Sequence, residues 1–252
     1  MTGAKLGVGL AGLGRHGTRY AQHLLGGSVE RARLVAVHRR DADQGRSWAK
    51  PRGITFHESL DDLAQDPAVD VIVGVLPPAR HPDVVGAAAA ASKPVLVEKP
   101  LSSDPESARR AMEVAGKAGI PAMVAHTLRF NSVIRALREY RGHVGELQLI
   151  AINHRSEPSD RPWLDDERQG GLVFDYGVHG FSRQLVTHRV ADLFCASLRL
   201  EPGAILATVD NSRATGGRSG RIELVGSQGQ LIADHVHGFV QLVRDRRAEP
   251  ML

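Results

Sequence analysis

Two patterns in this sequence could move protons. Glu98-Lys99-Pro100 closes an apolar stretch, which puts an ammonium at a strand end, where partial burial lowers its pKa towards useful acid–base values. Taken alone, a lysine at a strand end is usually a solvated surface group. Asp175 and His179 are four residues apart, so on a helix they share one face. Such an imidazole can take the proton of an alcohol as hydride leaves, and a carboxylate one turn away can raise its basicity or bind substrate. In isolation the pair reads first as a helix-surface ion pair. The spacing would suit a metal, but no third ligand accompanies it, and no metal site is predicted.

A third pattern concerns a cofactor. Gly12-Leu13-Gly14-Arg15-His16-Gly17 supplies G-x-G-x-x-G directly after the apolar run Lys5 to Leu10. Its glycines allow a tight turn, close backbone approach to a pyrophosphate, and packing of helix on strand. Tyr20, Ala21, Leu24 and Leu25 follow at helical spacing, so the pyrophosphate would meet a helix N-terminus, where free N–H groups and the dipole favour an anion. Where the second strand ends, the chain reads His38-Arg39-Arg40-Asp41. A basic pair there favours the 2′-phosphate of NADP, with NAD as the alternative. Asp41 could turn towards a ribose or cap the next helix. Leu76-Pro77-Pro78 ends the fourth strand at the ligand-binding edge, and His81 follows at a helix start, as a site residue or as a cap.

These residues need elements to place them. Strands near 5–10, 33–38, 54–57, 70–76 and 94–98 alternate with helices over 15–25, from about 43, 59–65 and 80–91. That alternation predicts a parallel sheet with helices on both faces, an α/β Rossmann domain. Ser59-Leu60-Asp61-Asp62 and Ser103-Asp104-Pro105-Glu106 both fit a capping box, the second with proline just inside a helix that stops at Gly119. Ile120 to Ala125 reads as the last strand. The character then changes. Residues 147–153, 205–209, 222–225 and 239–243 read as strands with short turns, an α+β domain on a mostly antiparallel sheet. One clear helix interrupts it, over 172–187 after Gly170-Gly171. The domains are therefore 1–125 and 126–252.

Composition narrows the class. With 252 residues, 42% hydrophobic and 24% charged, the chain is an ordinary globular protein. Cys195 is the single cysteine, which rules out an internal disulfide and a cysteine-based zinc site and fits a reducing cytoplasm. No apolar run approaches the roughly 20 residues that span a bilayer, and no membrane partner is predicted. The net charge of +4 welcomes an anionic ligand. The arginines are scattered and aromatics few, which argues against nucleic acid. The densest basic stretch, Arg129, Arg135, Arg138, Arg141 and His143, alternates with Val133, Ile134 and Leu137 as the solvated face of a helix.

In this order, the glycine loop, Pro78 with His81, Glu98-Lys99-Pro100, and Gly170-Gly171 before Asp175-x-Gly177-x-His179 closely resemble the Gfo/Idh/MocA family of NAD(P)-dependent oxidoreductases. Arg129-Phe130-Asn131, Gly145-Glu146-Leu147 and Gly226-Ser227-Gln228-Gly229-Gln230-Leu231 extend the match to nearly the whole chain. The resemblance implies catalysis by Lys99, Asp175 and His179. It implies cofactor contacts from Gly12, Gly14, Arg15, His16 and Gly17, from Arg39 and Arg40, and from Leu76, Pro77, His81, Glu98 and Lys99. Substrate contacts would come from Arg129, Asn131, His154, Arg155, Trp163 and Tyr176. Family substrates are mainly sugars, cyclitols and their derivatives. A cytoplasmic dehydrogenase or reductase acting on CH–OH groups is therefore expected, forming a homo-oligomer through its C-terminal sheet. The alternatives are a dinucleotide-bound regulatory or scaffolding protein without turnover, and a redox-neutral lyase or glycosidase. The chain is shorter than typical members: Ala191 to Ser197 looks compressed where a further strand is expected, little follows Gly229, and Ser182 stands where the family often carries an acid.

Overall fold

A computed structural model describes residues 4–157, 193–201, 205–212 and 215–252. The chain divides into two compact units, Met1–Ala125 and His126–Leu252. In the first, β1 (Leu6–Ala11), α1 (Arg15–Leu25), β2 (Ala32–His38), α2 (Ala42–Ala49), β3 (Thr55–His57) and α3 (Leu60–Gln65) form one half. The other half is β4 (Val71–Gly74), α4 (His81–Ala90), β5 (Val95–Glu98), α5 (Pro105–Ala118) and β6 (Ala122–Ala125). All six strands run parallel in the order β3-β2-β1-β4-β5-β6. The chain starts in the middle, builds outwards to β3, then crosses to β4 on the other side of β1. Strand order reverses there, so a crevice opens beyond the C-terminal ends of β1 and β4.

A parallel sheet must be covered on both faces. Leu10, Leu34 and Val37 pack with Ala21 of α1 on one side, while Ile72, Val84, Val85, Val97 and Ala111 pack on the other. Asp41, Ser59 and Asp104 cap α2, α3 and α5 by accepting from the backbone N–H of Gln44, Asp62 and Ser107. The cap of α5 is thus Asp104 rather than Ser103, because Pro105 takes the first helical position, where no donor is needed. Helix α1 starts at Gly14 with no side-chain cap and no acid in its first turn.

The second unit holds α6 (Ser132–Tyr140), β7 (Leu147–Arg155), β8 (Leu193–Leu200) and β9 (Ile205–Ser212). It continues with β10 (Ser219–Gly226), β11 (Gly229–Asp234), β12 (Phe239–Arg244) and β13 (Arg247–Pro250). Its sheet runs β13-β12-β11-β10-β7-β9-β8, antiparallel except between β7 and β9. Val133, Ala136 and Leu137 of α6 pack against Leu231, Ala233, Val240 and Leu242, with Arg135 and Arg138 on the solvent side.

Helix α6 carries Arg135 and Arg138 of the basic stretch that the sequence reads as the solvated face of a helix; the helix expected over 172–187 lies outside the described residues. Strand β8 corrects the expected compression, since it pairs with β9 along its whole length. It contains no Val, Ile, Thr or Tyr, the residues that mark a strand most strongly. Strands β11 and β13 are additions. β13 is exposed throughout, and a polar edge strand of this kind resists pairing with other chains.

Candidate functional site

Three glycines after β1 are glycine for three different reasons. Gly12 has φ +107, and a Cβ there would lie 2.2 Å from the Val75 carbonyl oxygen. At Gly17 a Cβ would lie 2.0 Å from the carbonyl oxygen of Gly12. Both are dictated by backbone that cannot move aside. Gly14 adopts an ordinary extended conformation, and a Cβ there would meet nothing within 4 Å. The protein itself gives no reason for its missing side chain. A ligand approaching the uncapped first turn of α1 does, and the arrangement therefore fits a dinucleotide pyrophosphate.

The neighbouring strand ends are tied to this loop. The Arg39 guanidinium donates to the Leu13 carbonyl at 3.2 Å and to the Gln44 side chain. Arg40 and Arg15 are exposed. Asp41 is committed to capping, its carboxylate accepting from Gln44 N at 3.0 Å and Gln44 Nε2 at 2.6 Å. After β4, Leu76 is half-buried and Pro77 exposed.

Glu98, at the end of β5, is 7% exposed. Its Oε1 accepts from His16 Nε2 at 2.8 Å and Tyr20 Oη at 2.7 Å, and its Oε2 from the Lys99 N–H at 3.0 Å. Burial alone would push this carboxyl up. The hydrogen bonds from His16, Tyr20 and Lys99 outweigh burial and hold it down at about 2. The Tyr20 phenol is pushed up, first by burial and then by Glu98. Sequence reasoning placed Tyr20 only in an apolar helix face. Its spacing of four from His16 was the available signal.

On the other flank of Lys99, His81 is fully buried, and its Nδ1 lies 2.7 Å from the Pro100 carbonyl. It must donate there, so the ring does not cap α4. Burial pushes its pKa down, opposed by that hydrogen bond and by the charge of Glu98. Lys99 itself is half-buried, between one residue anchored to α1 and one anchored to α4.

The second unit carries Arg129, exposed ahead of α6, and Asn131, whose Oδ1 caps α6 by accepting from Val133 N at 2.9 Å. His154, near the end of β7, has its ring 5.6 Å from that of His235. Arg155 pairs with Asp210. Trp163, Asp175, Tyr176 and His179 lie outside the described residues. Among the described residues, no group of three His, Cys, Asp or Glu could hold a metal. No helix among them is long and apolar enough to cross a membrane.

Residues 6–126 match the model of an oxidoreductase family with an NAD-binding Rossmann fold. The whole chain is similar to a myo-inositol 2-dehydrogenase of Thermotoga maritima, 29% identical over 96% of this chain and 79% of that one. It is also similar to an inositol 2-dehydrogenase of Rhizobium meliloti, 28% identical over 90% and 75%. Among solved structures, GenD2 from gentamicin A biosynthesis, in complex with NAD, superimposes with a TM-score of 0.80 at 25% identity, over 93% of this chain and 73% of that one. An NAD binding oxidoreductase from Klebsiella pneumoniae shares the fold, with a TM-score of 0.81 at 23% identity over 98% and 79%.

Proposed function

Residues 6–126 belong to the Gfo/Idh/MocA oxidoreductase family, and on that footing we propose that this chain is an NADP-preferring dehydrogenase or reductase. It acts on a secondary alcohol, or the matching carbonyl, of a cyclitol, sugar or similar small polyol. The observation that carries the reading is the G-x-G-x-x-G loop itself, in which Gly14 leaves open space beside the uncapped first turn of α1, where a pyrophosphate would sit. Gly12, Gly17, Arg15 and His16 shape and line that turn. The Arg39 guanidinium, lying against the Leu13 carbonyl, and Arg40 supply positive charge where a 2′-phosphate would extend. Leu76 and Pro77 belong to the loop on the other side of the crevice, and His81 opens α4 behind it.

When bound, the nicotinamide supplies or receives the hydride. Lys99 polarises the reacting oxygen or relays its proton, His179 is the general base, and Asp175 orients the histidine or the substrate. Arg129, Asn131, His154, Trp163 and Tyr176 contact the substrate. The inositol dehydrogenases among the relatives support a polyol. A homo-oligomer through the second unit's sheet is part of the reading. Leu206, Leu149 and Val225 are cross-strand neighbours on the face turned away from α6, and Leu206 is 49% exposed. A cytoplasmic location fits the single cysteine.

Calorimetric titration with NADPH and NADH tests the cofactor: tighter NADPH binding that Arg39→Ala removes supports it, and no binding to either overturns the enzyme reading. With turnover established in a polyol screen, Lys99→Ala should abolish it and leave dinucleotide affinity nearly unchanged. Unchanged kinetics would reject Lys99.

A further inference from the structure

Asp41-Ala42-Asp43-Gln44 opens α2 with the spacing of a capping box, in which the last side chain ordinarily reaches back to the backbone N–H of the first residue. Here it is diverted. Gln44 donates its Nε2 to Asp41 Oδ2 at 2.6 Å, and its Oε1 accepts from the Arg39 guanidinium. The chemistry admits no other orientation of the amide, because a carboxylate can only accept and a guanidinium can only donate. The same guanidinium donates to the Leu13 carbonyl of the glycine loop at 3.2 Å. Arg39 and Asp41, opposite in charge and neighbours but one in the chain, are thus bridged by a neutral amide. Among the described residues, both groups that Arg39 donates to are uncharged carbonyl oxygens.

We propose that Gln44 sets the discrimination between NADPH and NADH, as a spacer that keeps Arg39 from closing onto Asp41. The inference rests on the NADP reading above and names the residue that leaves Arg39 available to it. A guanidinium has five N–H groups, so the bonds to Leu13 and Gln44 leave donors, and the whole positive charge, for a 2′-phosphate. A carboxylate in the place of the Gln44 oxygen would make a charge-assisted bond, and the phosphate would then have to displace it or bind a pair already neutral. Asp41 stays close by because it caps α2, accepting from Gln44 N at 3.0 Å. The bridging amide therefore lets one short loop hold an acid for its helix and a base for its ligand without either cancelling the other. NADH carries a hydroxyl where NADPH carries the phosphate, so its binding does not depend on an unpaired Arg39. Gln44 is a positioning residue that acts through Arg39.

The test is a double-mutant cycle on the full chain, read as the ratio of calorimetric affinities for NADPH and NADH. Gln44→Ala should lower the preference for NADPH by about two- to fivefold, the range of an exposed ion pair, with NADH affinity unchanged. Asp41→Ser keeps an oxygen at the cap of α2 but removes the carboxylate, and in that background Gln44→Ala should change nothing. Gln44→Glu sets a carboxylate directly on Arg39 and should lower the preference further, by about tenfold, with or without Asp41→Ser. An unchanged preference in Gln44→Ala, or an equal loss in both backgrounds, would overturn the spacer and leave the NADP reading standing. A parent chain without preference for NADPH, or one whose preference survives Arg39→Ala, would overturn the NADP reading and this inference with it.

Discussion

Glu98 in the first unit and Asp234 in the second are both buried, 7% and 5% exposed, and both carboxyls are held below their ordinary range against the pull of burial. Their donors differ. Asp234 accepts from the backbone N–H groups of Gly220, Val236 and His237 and pairs with the His237 ring at 2.9 Å. Those groups belong to its own turn and the adjoining strand. Glu98 accepts from His16 and Tyr20, two side chains of α1 that lie 82 and 78 residues earlier in the chain. A carboxylate bonded to nearby backbone shapes a turn. One bonded to distant side chains ties two loops of a site together, so its loss is felt as function as well as stability.

The sharpest break in that comparison uses backbone. Gly12→Ala sets a Cβ against an immovable carbonyl at positive φ, and should cost about 3 kcal/mol together with dinucleotide binding. Gly220→Ala in the second unit sets a Cβ 1.9 Å from the His235 ring, which can swing aside. It should cost about 1–2 kcal/mol and leave binding intact. Thermal melts with calorimetry read both, and equal binding losses would erase the distinction. Next, Glu98→Gln should lose about 2 kcal/mol and weaken dinucleotide binding, whereas Asp234→Asn should lose about 1–2 kcal/mol with affinity unchanged.

Acid sharpens the contrast further. The folded Glu98 value of about 2 lies below the ordinary 4.5, so its stabilisation is complete above pH 4.5 and is lost as pH falls towards 2. Urea melts across that window should show a shallower loss in Glu98→Gln. The buried imidazoles His38 and His81 are lowered from 6.5. Protons bind the unfolded chain first, so their part of the acid loss begins below that value and should survive the substitution. The smallest expected change is in Gly14→Ala. As the N-cap of α1 it should lose no more than about 1 kcal/mol of stability, while dinucleotide affinity falls. A larger loss of stability would mean the protein, and not the ligand, needs that glycine.

The two units also differed in how far the sequence could be read. In the first, each site residue sits within a few positions of a strand end, and the local signals of glycine spacing, caps and apolar runs place it. Even there, the contacts of Glu98 with His16 and Tyr20 span the sheet, and no local pattern encodes them. In the second, β8 lacks β-branched residues and β11 begins inside a glycine turn, so both emerge only through pairing with strands already in place. Asn131 shows the ambiguity of single residues: a motif position read for substrate also caps α6.

The open space beside Gly14 has an evolutionary consequence. In a lineage that abandoned its dinucleotide, Gly12 and Gly17 would persist, because the fold enforces them whatever the protein does. Gly14 would be released from selection and would drift to alanine or serine without harm to folding. Two of the three glycines are thus a record of architecture and one a record of use, and descendants of this chain that keep the loop but lose the middle glycine would be the ones that have changed occupation.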